Sequence, residues 1–290
     1  MKLPPFEYAC PTTLPEAVQL LAAGDGEAKA LAGGQSLVPM LAFRLAQPKL
    51  LVDLRKLADL RGIRISEKGL ALGAMVRWRE IEDDARLDTA HPLLKAAVAH
   101  VAHYQIRNRG TVGGSMAHAD PAAEMPGIAM TCDAEIAVVG KSGARVIQAA
   151  DFFQGPLTTA LTPDEIIVEI RLPHWPASRR WGFEEFARRR GDFALGAAAV
   201  FYDQHQSGKA TNAHVGAIGV ADRPLRLDAV EAVINGQRVD EATIAKAEAA
   251  ASASVDPQSD IHASGAYRRA LIGTLILDRV KSAQKVSGIS

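Results

Sequence analysis

The segment RNRGTVGGSMAHADPAAEMP, residues 107–126, gathers three glycines with short hydroxyl and carboxylate side chains. Glycine has no Cβ, so such a segment can adopt positive φ and bring backbone N–H groups close to a ligand. Successive N–H groups that point at one centre form an anion-binding concavity. A second segment of this kind, LAGGQSLVPML at residues 31–41, follows an apolar run. The two pairs, Gly33–Gly34 and Gly113–Gly114, indicate a site that holds one anion between them.

The polar side chains beside these glycines indicate a nucleotide cofactor. Ser36, Thr111 and Ser115 can donate hydroxyl hydrogen bonds to phosphate oxygens, and neither glycine segment contains a lysine. Such an uncharged cradle suits a pyrophosphate, and Asp120 and Glu124 are placed to accept hydrogen bonds from sugar hydroxyls. The alternative is that the glycines only form tight turns or packing contacts, which is the commoner role of a single glycine pair.

Length and composition restrict the classes of function. The chain has 290 residues, about twice the usual domain size, so two domains are expected. Lysine plus arginine and aspartate plus glutamate balance at 33 each, without the basic excess that nucleic-acid binding requires. Cys10 and Cys132 are the only cysteines, too few for a disulfide framework or for the four thiolates of an iron–sulfur or zinc site. Redox chemistry would therefore need an organic cofactor or another subunit.

Familiar motifs of catalysis and targeting are absent from the sequence. It contains no GxxxxGK[ST], HExxH, GxSxG or CxxC motif. Its N-terminus, MKLPPFEYACPTTLPEAVQLL, has prolines where a signal peptide needs an apolar run, and no stretch approaches a membrane span, so we expect a cytoplasmic protein. His100 and His103 lack a nearby carboxylate or cysteine for a metal site, and Ser115, His118 and Asp120 resemble a triad only in residue type. We predict neither a metal site nor a catalytic residue in this chain.

The first part of the chain predicts short strands, a glycine turn and helices. Thr13, Pro15 and Glu16 mark the start of a helix with a capping box, and Gly24 marks its end. The other predicted elements are strands at 29–32 and 50–54, a brief helix at 37–43, a hairpin from 62–66 and 70–74, and helices at 77–84 and 92–103. The glycine segment that follows is predicted as a loop.

The second part predicts an antiparallel sheet followed by helices. A hairpin from 134–140 and 144–149, a strand at 164–173 and a linker at 174–178 are expected. Strands at 180–188, 193–202 and 210–220 then precede helices at 227–234, 241–252 and 267–281. We predict an α+β protein with one domain over residues 1–176, in two parts of about 1–57 and 58–176. A smaller α+β domain with a three-stranded antiparallel sheet and helices would occupy residues 177–290.

Several segments together resemble one family of flavoproteins. LAGGQSLVPML and QIRNRGTVGGSMAHADPAAEMP (105–126) are similar to the two FAD-binding motifs of the medium subunits of molybdenum hydroxylases, the xanthine dehydrogenase and aerobic carbon monoxide dehydrogenase family. FEYACPTTLPEAVQLL (6–21), DEIIVEIRLP (164–173), FEEFARRRGDFALGAAAV (183–200) and YRRALIGTLILDRV (267–280) are similar to that family in order and spacing. The resemblance implies an FAD-binding domain of the vanillyl-alcohol oxidase and cresol methylhydroxylase type, followed by the C-terminal domain of carbon monoxide dehydrogenase flavoproteins.

The resemblance also implies which residues contact the cofactor. Position 35, often histidine in relatives, is Gln35, which cannot form a flavin–histidine bond, so noncovalent FAD is expected. Position 124 usually carries aspartate; Glu124 extends the acceptor by one methylene, which leaves open the hydroxyl it reaches. The segment 191–195 would close over the flavin from the second domain. The residues implied at the FAD site are Ala32, Gly33, Gly34, Gln35, Ser36, Leu37, Val101, Thr111, Val112, Gly113, Gly114, Ser115, His118, Asp120, Glu124, Ile167, Asp192 and Phe193.

The function that the resemblance implies is electron transfer within a larger complex. A medium subunit takes electrons from the [2Fe–2S] clusters of a small subunit and passes them through FAD to an external acceptor. A molybdopterin-binding large subunit oxidises the substrate, and in relatives the heterotrimer pairs into a dimer of trimers. Two alternatives stay open: a stand-alone flavin oxidase or reductase of the same fold, and a flavin-free assembly subunit. The substrate of the complex (carbon monoxide, an N-heterocycle or an aldehyde) and the electron acceptor are not encoded in this chain.

Overall fold

The computed structural model describes residues 2–285, and the chain begins with a small lobe built on a parallel sheet. The strands lie in the order β1-β3-β2, with β1 and β2 both parallel to β3. The predicted elements of this lobe are confirmed, whereas β1 was not predicted. The elements are β1 (Glu7–Ala9), α1 (Leu14–Ala23), β2 (Ala28–Leu31), α2 (Leu37–Ala42) and β3 (Leu50–Asp53).

The start of α1 shows how local sequence fixes an element. The Thr13 hydroxyl oxygen accepts from the Glu16 N–H at 3.4 Å, as the predicted N-cap requires. The predicted capping box is wrong by one residue, because the Glu16 carboxylate accepts from the N–H of Thr12 at 3.0 Å and not from that of Thr13. The helix ends at Gly24, as predicted.

A second lobe follows, built on an antiparallel sheet with strand order β4-β5-β10-β6-β7 and helices packed beside it. The predicted hairpins and the strand near 164–173 are confirmed. The helix predicted at 92–103 is shorter and ends at Val98, after which Ala102 takes a positive φ of 41°. The elements are β4 (Ile63–Ser66), β5 (Gly69–Gly73), α3 (Trp78–Asp83), α4 (Leu87–Ala90), α5 (Pro92–Val98), α6 (Tyr104–Arg107), α7 (Val112–His118), α8 (Glu124–Thr131), β6 (Glu135–Gly140), β7 (Gly143–Gln148), α9 (Ala149–Phe152), β8 (Phe153–Gly155), β9 (Thr158–Thr159) and β10 (Ile166–Pro173).

The C-terminal part is an antiparallel sheet covered by three helices. The prediction of three strands is wrong: the sheet has four, in the order β11-β12-β13-β14. The fourth strand has two residues, too few for an alternating pattern to be visible in sequence. The last five residues of the predicted domain lie outside the described part of the chain. The elements are β11 (Arg180–Phe186), β12 (Gly196–Gln204), β13 (Ala210–Ile218), β14 (Leu225–Arg226), α10 (Asp228–Ile234), α11 (Glu241–Ala253) and α12 (Gly265–Lys285).

The C-terminal sheet is buried on both faces, which explains the apolar run in β12. Ala197, Ala199 and Phe201 belong to the core of the second lobe, where α8 packs on β13. Ala198 and Val200, on the opposite face, pack in a separate core with α11 and α12. Because successive strand residues point to opposite faces, a strand covered on both sides is apolar throughout.

The predicted linker at 174–178 is anchored in this shared core. Trp175 is buried, with its ring centroid 4.6 Å from that of His91 and 5.2 Å from that of Phe201. The guanidinium of Arg179 lies 4.4 Å from the Phe201 ring centroid and forms an ion pair with Asp203 at 2.8 Å. These contacts hold the two parts of the chain in one packed unit.

None of the helices within residues 2–285 combines the length and apolarity needed to cross a bilayer.

Candidate functional site

A cleft of 680 Å³ lies where the two lobes meet the segment 191–193 of the C-terminal part. Cofactor and ligand sites typically measure about 300–1,000 Å³. Val112, the first residue of α7, does not line the cleft, since its side chain is fully buried and its N–H donates to the Val76 carbonyl at 2.9 Å. Every other residue predicted at the site lines it: Ala32, Gly33, Gly34, Gln35, Ser36, Leu37, Val101, Thr111, Gly113, Gly114, Ser115, His118, Asp120, Glu124, Ile167, Asp192 and Phe193.

The first glycine segment displays unpaired backbone donors in the cleft. Gly34 has a φ of 74°, in the left-handed region that favours glycine, and the chain turns there from β2 into α2. Among the residues that the structure describes, the N–H groups of 33–36 find no acceptor. The Gln35 side-chain amide donates to the Gly33 carbonyl at 3.0 Å, which holds the turn. Successive unpaired N–H groups are what the predicted anion-binding concavity requires.

The second glycine segment differs from the prediction, because it is the first turn of α7 and not a loop. The Thr111 hydroxyl oxygen caps this helix by accepting from the Gly114 N–H at 3.1 Å. The Gly113 N–H donates to the Ala74 carbonyl at 2.8 Å, and the Ser115 N–H donates to the Thr111 carbonyl at 3.0 Å. The backbone donors of this segment are therefore used within the protein, and its hydroxyl groups remain available to a ligand.

Close packing explains the glycines of α7. A Cβ on Gly113 would lie 2.5 Å from the Ala74 Cβ and 2.8 Å from the Ala74 carbonyl oxygen. A Cβ on Gly114 would lie 2.8 Å from the Thr111 hydroxyl oxygen and 3.6 Å from the Ala32 Cβ, on the first lobe. The packing role thus holds for the α7 pair, whereas the Gly33–Gly34 pair combines a close packing contact with unpaired N–H groups.

The two predicted acids have different environments. The Asp120 carboxylate accepts from the Ala122 N–H at 2.9 Å and so shapes the turn before α8. Burial, reinforced by the nearby Asp120 charge, raises the pKa of Glu124 to about 7. A carboxyl with such a pKa is partly protonated at neutral pH, so it can donate as well as accept a hydrogen bond. Glu124 can therefore serve as a donor in addition to the acceptor role that the sequence predicts.

A third acid, Glu185 on β11, was missed by the sequence analysis. Its side chain is 2% exposed and contacts Glu124, and burial together with the Glu124 carboxyl raises the pKa of Glu185 to about 8. Strand β11 comes from the C-terminal part, so this contact joins it to α8 of the second lobe. No motif marks Glu185, which follows Glu184 in a strand that also contains Arg180.

The sequence also did not predict several other residues of the cleft wall. Met75 and Trp78 follow β5, and the segment 157–163 follows β8, with Thr158 and Thr159 contributing hydroxyl groups to the wall. The pair of threonines was a detectable signal, although it stands far from both glycine segments in sequence. Ser115, His118 and Asp120 form no hydrogen bond with one another in residues 2–285, so they do not form a triad. Likewise, no three metal-ligating side chains cluster in the described part of the chain.

The two lobes and their cleft belong to a known type of FAD-binding domain. Residues 4–175 match the family model described as the FAD binding domain in molybdopterin dehydrogenase. Residues 181–283 match the CO dehydrogenase flavoprotein C-terminal domain. The chain therefore belongs to the FAD-binding medium subunits of molybdenum hydroxylases, the carbon monoxide dehydrogenase and xanthine dehydrogenase family, and is a subunit of an oxidoreductase complex.

Relatives match the chain over nearly its whole length. It is 37% identical to the 6-hydroxypseudooxynicotine dehydrogenase complex subunit alpha of Paenarthrobacter nicotinovorans, over 95% of this chain and 93% of that protein. It is 35% identical to the carbon monoxide dehydrogenase medium chain of Afipia carboxidovorans, over 96% of each. Among solved structures, quinoline 2-oxidoreductase from Pseudomonas putida 86 is 39% identical with a TM-score of 0.93, over 99% of this chain and 100% of that chain.

Proposed function

We propose that the cleft binds one FAD noncovalently and that the chain passes electrons from [2Fe–2S] clusters of a small subunit through this FAD to an external acceptor. The observation that carries the proposal is the row of unpaired N–H donors at 33–36, displayed in a cleft of 680 Å³. These donors suit the pyrophosphate of a dinucleotide. FAD supplies the capacity to accept electrons singly and release them in pairs.

The residues of the cleft fit the groups of FAD. Ser36, Thr111 and Ser115 offer hydroxyl groups near the donors of the first glycine segment. Asp120 and Glu124 provide acceptors for ribityl or ribose hydroxyls. Gln35, with its amide already held by the Gly33 carbonyl, gives no nucleophile for a covalent flavin bond, which supports noncovalent binding.

The partners in the proposal are a molybdopterin-binding large subunit and a [2Fe–2S] small subunit, with a dimer of heterotrimers as the assembled form. Cys132 is buried and Cys10 is the other cysteine of the chain, so this chain cannot supply four thiolates to a cluster. The clusters must then lie on a partner. Both cysteines are free thiols, which supports the reducing cytoplasm as the compartment we propose.

Metal and flavin analysis of the intact complex tests the proposal. The affinity-tagged chain, purified from its own host, should bring down a complex that contains FAD, molybdenum and iron. Gly114→Val should remove FAD and leave molybdenum and iron, because the larger side chain would collide with Thr111 and Ala32. Gly155→Ala is the matched control, since a Cβ there meets nothing within 4 Å. A wild-type complex without molybdenum and iron would refute the partners, and full FAD content in Gly114→Val would refute the site.

A further inference from the structure

A buried pair of carboxyl groups lies beside the cleft, at the contact between α8 and β11. The Glu124 and Glu185 carboxyl groups lie close enough together for the charge state of one to affect the pKa of the other. The Glu185 side chain is 2% exposed, and its Oε2 has no hydrogen-bond donor within residues 2–285. Two buried carboxyl groups in contact cannot both ionise at low cost, so such a pair shares a proton.

One histidine connects this pair to solvent. The Nδ1 atom of His100 lies 4.0 Å from Oε1 of Glu185, and the His100 side chain is 39% exposed. Burial, followed by the positive charge of Arg190, lowers the pKa of His100, while Glu184 acts in the opposite direction. His100 is therefore neutral near pH 7, and a neutral imidazole can take up a proton on one ring nitrogen and release one from the other.

The three side chains form a continuous series from the surface to the cleft. His100 is open to solvent, Glu185 is enclosed, and Glu124 lines the cleft wall. The other charged groups that face this series are Asp120 beside Glu124, and Glu184 and Arg190 beside His100. The Phe183 ring packs edge-on against the imidazole, with centroids 5.3 Å apart, and fixes the ring beside Glu185.

We propose that His100, Glu185 and Glu124 conduct protons between solvent and the cofactor cleft. The proposal rests on the proposed function. An iron–sulfur cluster delivers electrons without protons, whereas full reduction of a flavin takes up two electrons and two protons. The Glu124 carboxyl releases one of these protons into the cleft, Glu185 restores it, and His100 and solvent restore Glu185. The other proton comes from water that enters the open cleft. When the acceptor removes the electrons, one proton returns along the same series and the other leaves to water in the cleft.

The test is the rate at which bound FAD is reduced by a donor that carries no proton. The FAD-loaded full chain is mixed rapidly with reduced methyl viologen, after flavin content has been measured, and the loss of visible flavin absorption is followed across about pH 5 to 9. The variants are Glu185→Gln and His100→Gln, because glutamine keeps the side-chain size but cannot relay a proton. Glu135→Gln, at a half-buried strand glutamate outside the cleft, is the matched control.

For the wild type, the rate should fall as pH rises through about 7 to 8, where the carboxyl pair loses its proton. Glu185→Gln should lower the rate about tenfold or more and flatten this pH profile. His100→Gln should also be slow, and added imidazole should restore its rate, an effect that a purely structural role does not give. Glu135→Gln should match the wild type.

Two outcomes would overturn the proposal. Wild-type rates and pH profiles in both Glu185→Gln and His100→Gln, at full flavin content, would refute the proton path and leave the proposed function intact. A wild-type chain that retains no FAD, alone or in its complex, would refute the proposed function, and the path would fail with it. His100→Gln keeps the test decisive if Glu185→Gln does not fold, since His100 is partly exposed.

Discussion

The α-carbon of Gly33 packs against the carbonyl group of Arg109, so closely that a Cβ on Gly33 would overlap the carbonyl oxygen and lie 2.8 Å from the carbonyl carbon. The same Cβ would lie 2.9 Å from the α-carbon of Gly110. Gly33 belongs to the first lobe and Arg109 to the second, so this contact brings the two glycine segments together. The missing side chain thus serves lobe packing, and the donors at 33–36 are displayed next to it.

Gly33→Ala should separate the two glycine segments. The new Cβ would collide with backbone atoms of Arg109 and Gly110, which cannot move aside as a flexible side chain can, so the lobes must shift. We expect a loss of about 1–3 kcal/mol in the free energy of unfolding, measured with urea, and loss of bound flavin after desalting. Gly155→Ala should stay within about 0.5 kcal/mol of the wild type and keep its flavin. Wild-type flavin content in Gly33→Ala would show that the contact is not required.

The Glu124–Glu185 pair should make stability depend on pH. Both pKa values are raised from 4.5, to about 7 and about 8, so the folded state holds protons that the unfolded state has released. The contribution of the pair to stability is therefore fully present below about pH 4.5 and is lost as pH rises through about 7 to 8. Glu185→Gln should flatten this decline in urea unfolding, and Glu135→Gln should not. Equal slopes in all three proteins would mean that the pair does not share a proton.

The contact of α8 with β13 depends on Gly216. A Cβ there would overlap the Thr131 hydroxyl oxygen and lie 3.0 Å from the Thr131 Cβ. Thr131 is held in place, because its hydroxyl donates to the Gly127 carbonyl at 2.7 Å. Gly216→Ala should lower the unfolding free energy by about 1–3 kcal/mol. Thr131→Ala in the same chain should recover part of that loss in a double-mutant cycle. Strict additivity of the two substitutions would contradict the proposed collision.

The Phe193 side chain should contribute to FAD binding and not to the stability of the fold. It lines the cleft but is 64% exposed, and the preceding Gly191 fixes its segment with a φ of 88°. Phe193→Ala should change stability by less than about 0.5 kcal/mol and raise the FAD dissociation constant about tenfold, measured by flavin fluorescence. Phe43→Ala, 67% exposed and outside the cleft lining, is the control and should leave FAD affinity unchanged. Equal affinities in the two variants would remove Phe193 from the site.

The elements with a clear pattern could be predicted from sequence. Alternation identified the hairpin β6–β7 and strand β10, and the Thr13 cap and Gly24 identified α1. The glycine segments located the cleft, because a backbone position that only glycine can occupy is directly visible in the sequence. The predicted site residues of both segments, apart from Val112, line it.

The elements that depend on tertiary contacts could not be predicted. Helix α7 contains two glycines, which disfavour a helix, and it is held by donation from Val112 and Gly113 to Val76 and Ala74. The pairing of Glu124 with Glu185 joins residues far apart in sequence, and neither residue type signals it. The two-residue strand β14 exists only as the partner of β13.

The most direct test of the central claim is the flavin content of the chain. The purified protein is incubated with FAD and desalted, its visible spectrum is recorded, and the flavin released by acid is identified by chromatography. Binding in the cleft with Gln35 at the turn predicts about one FAD per chain, all of it released by acid. Flavin that stays on the acid-precipitated protein would contradict noncovalent binding. No flavin on the chain, either alone or in its complex, would contradict the site itself.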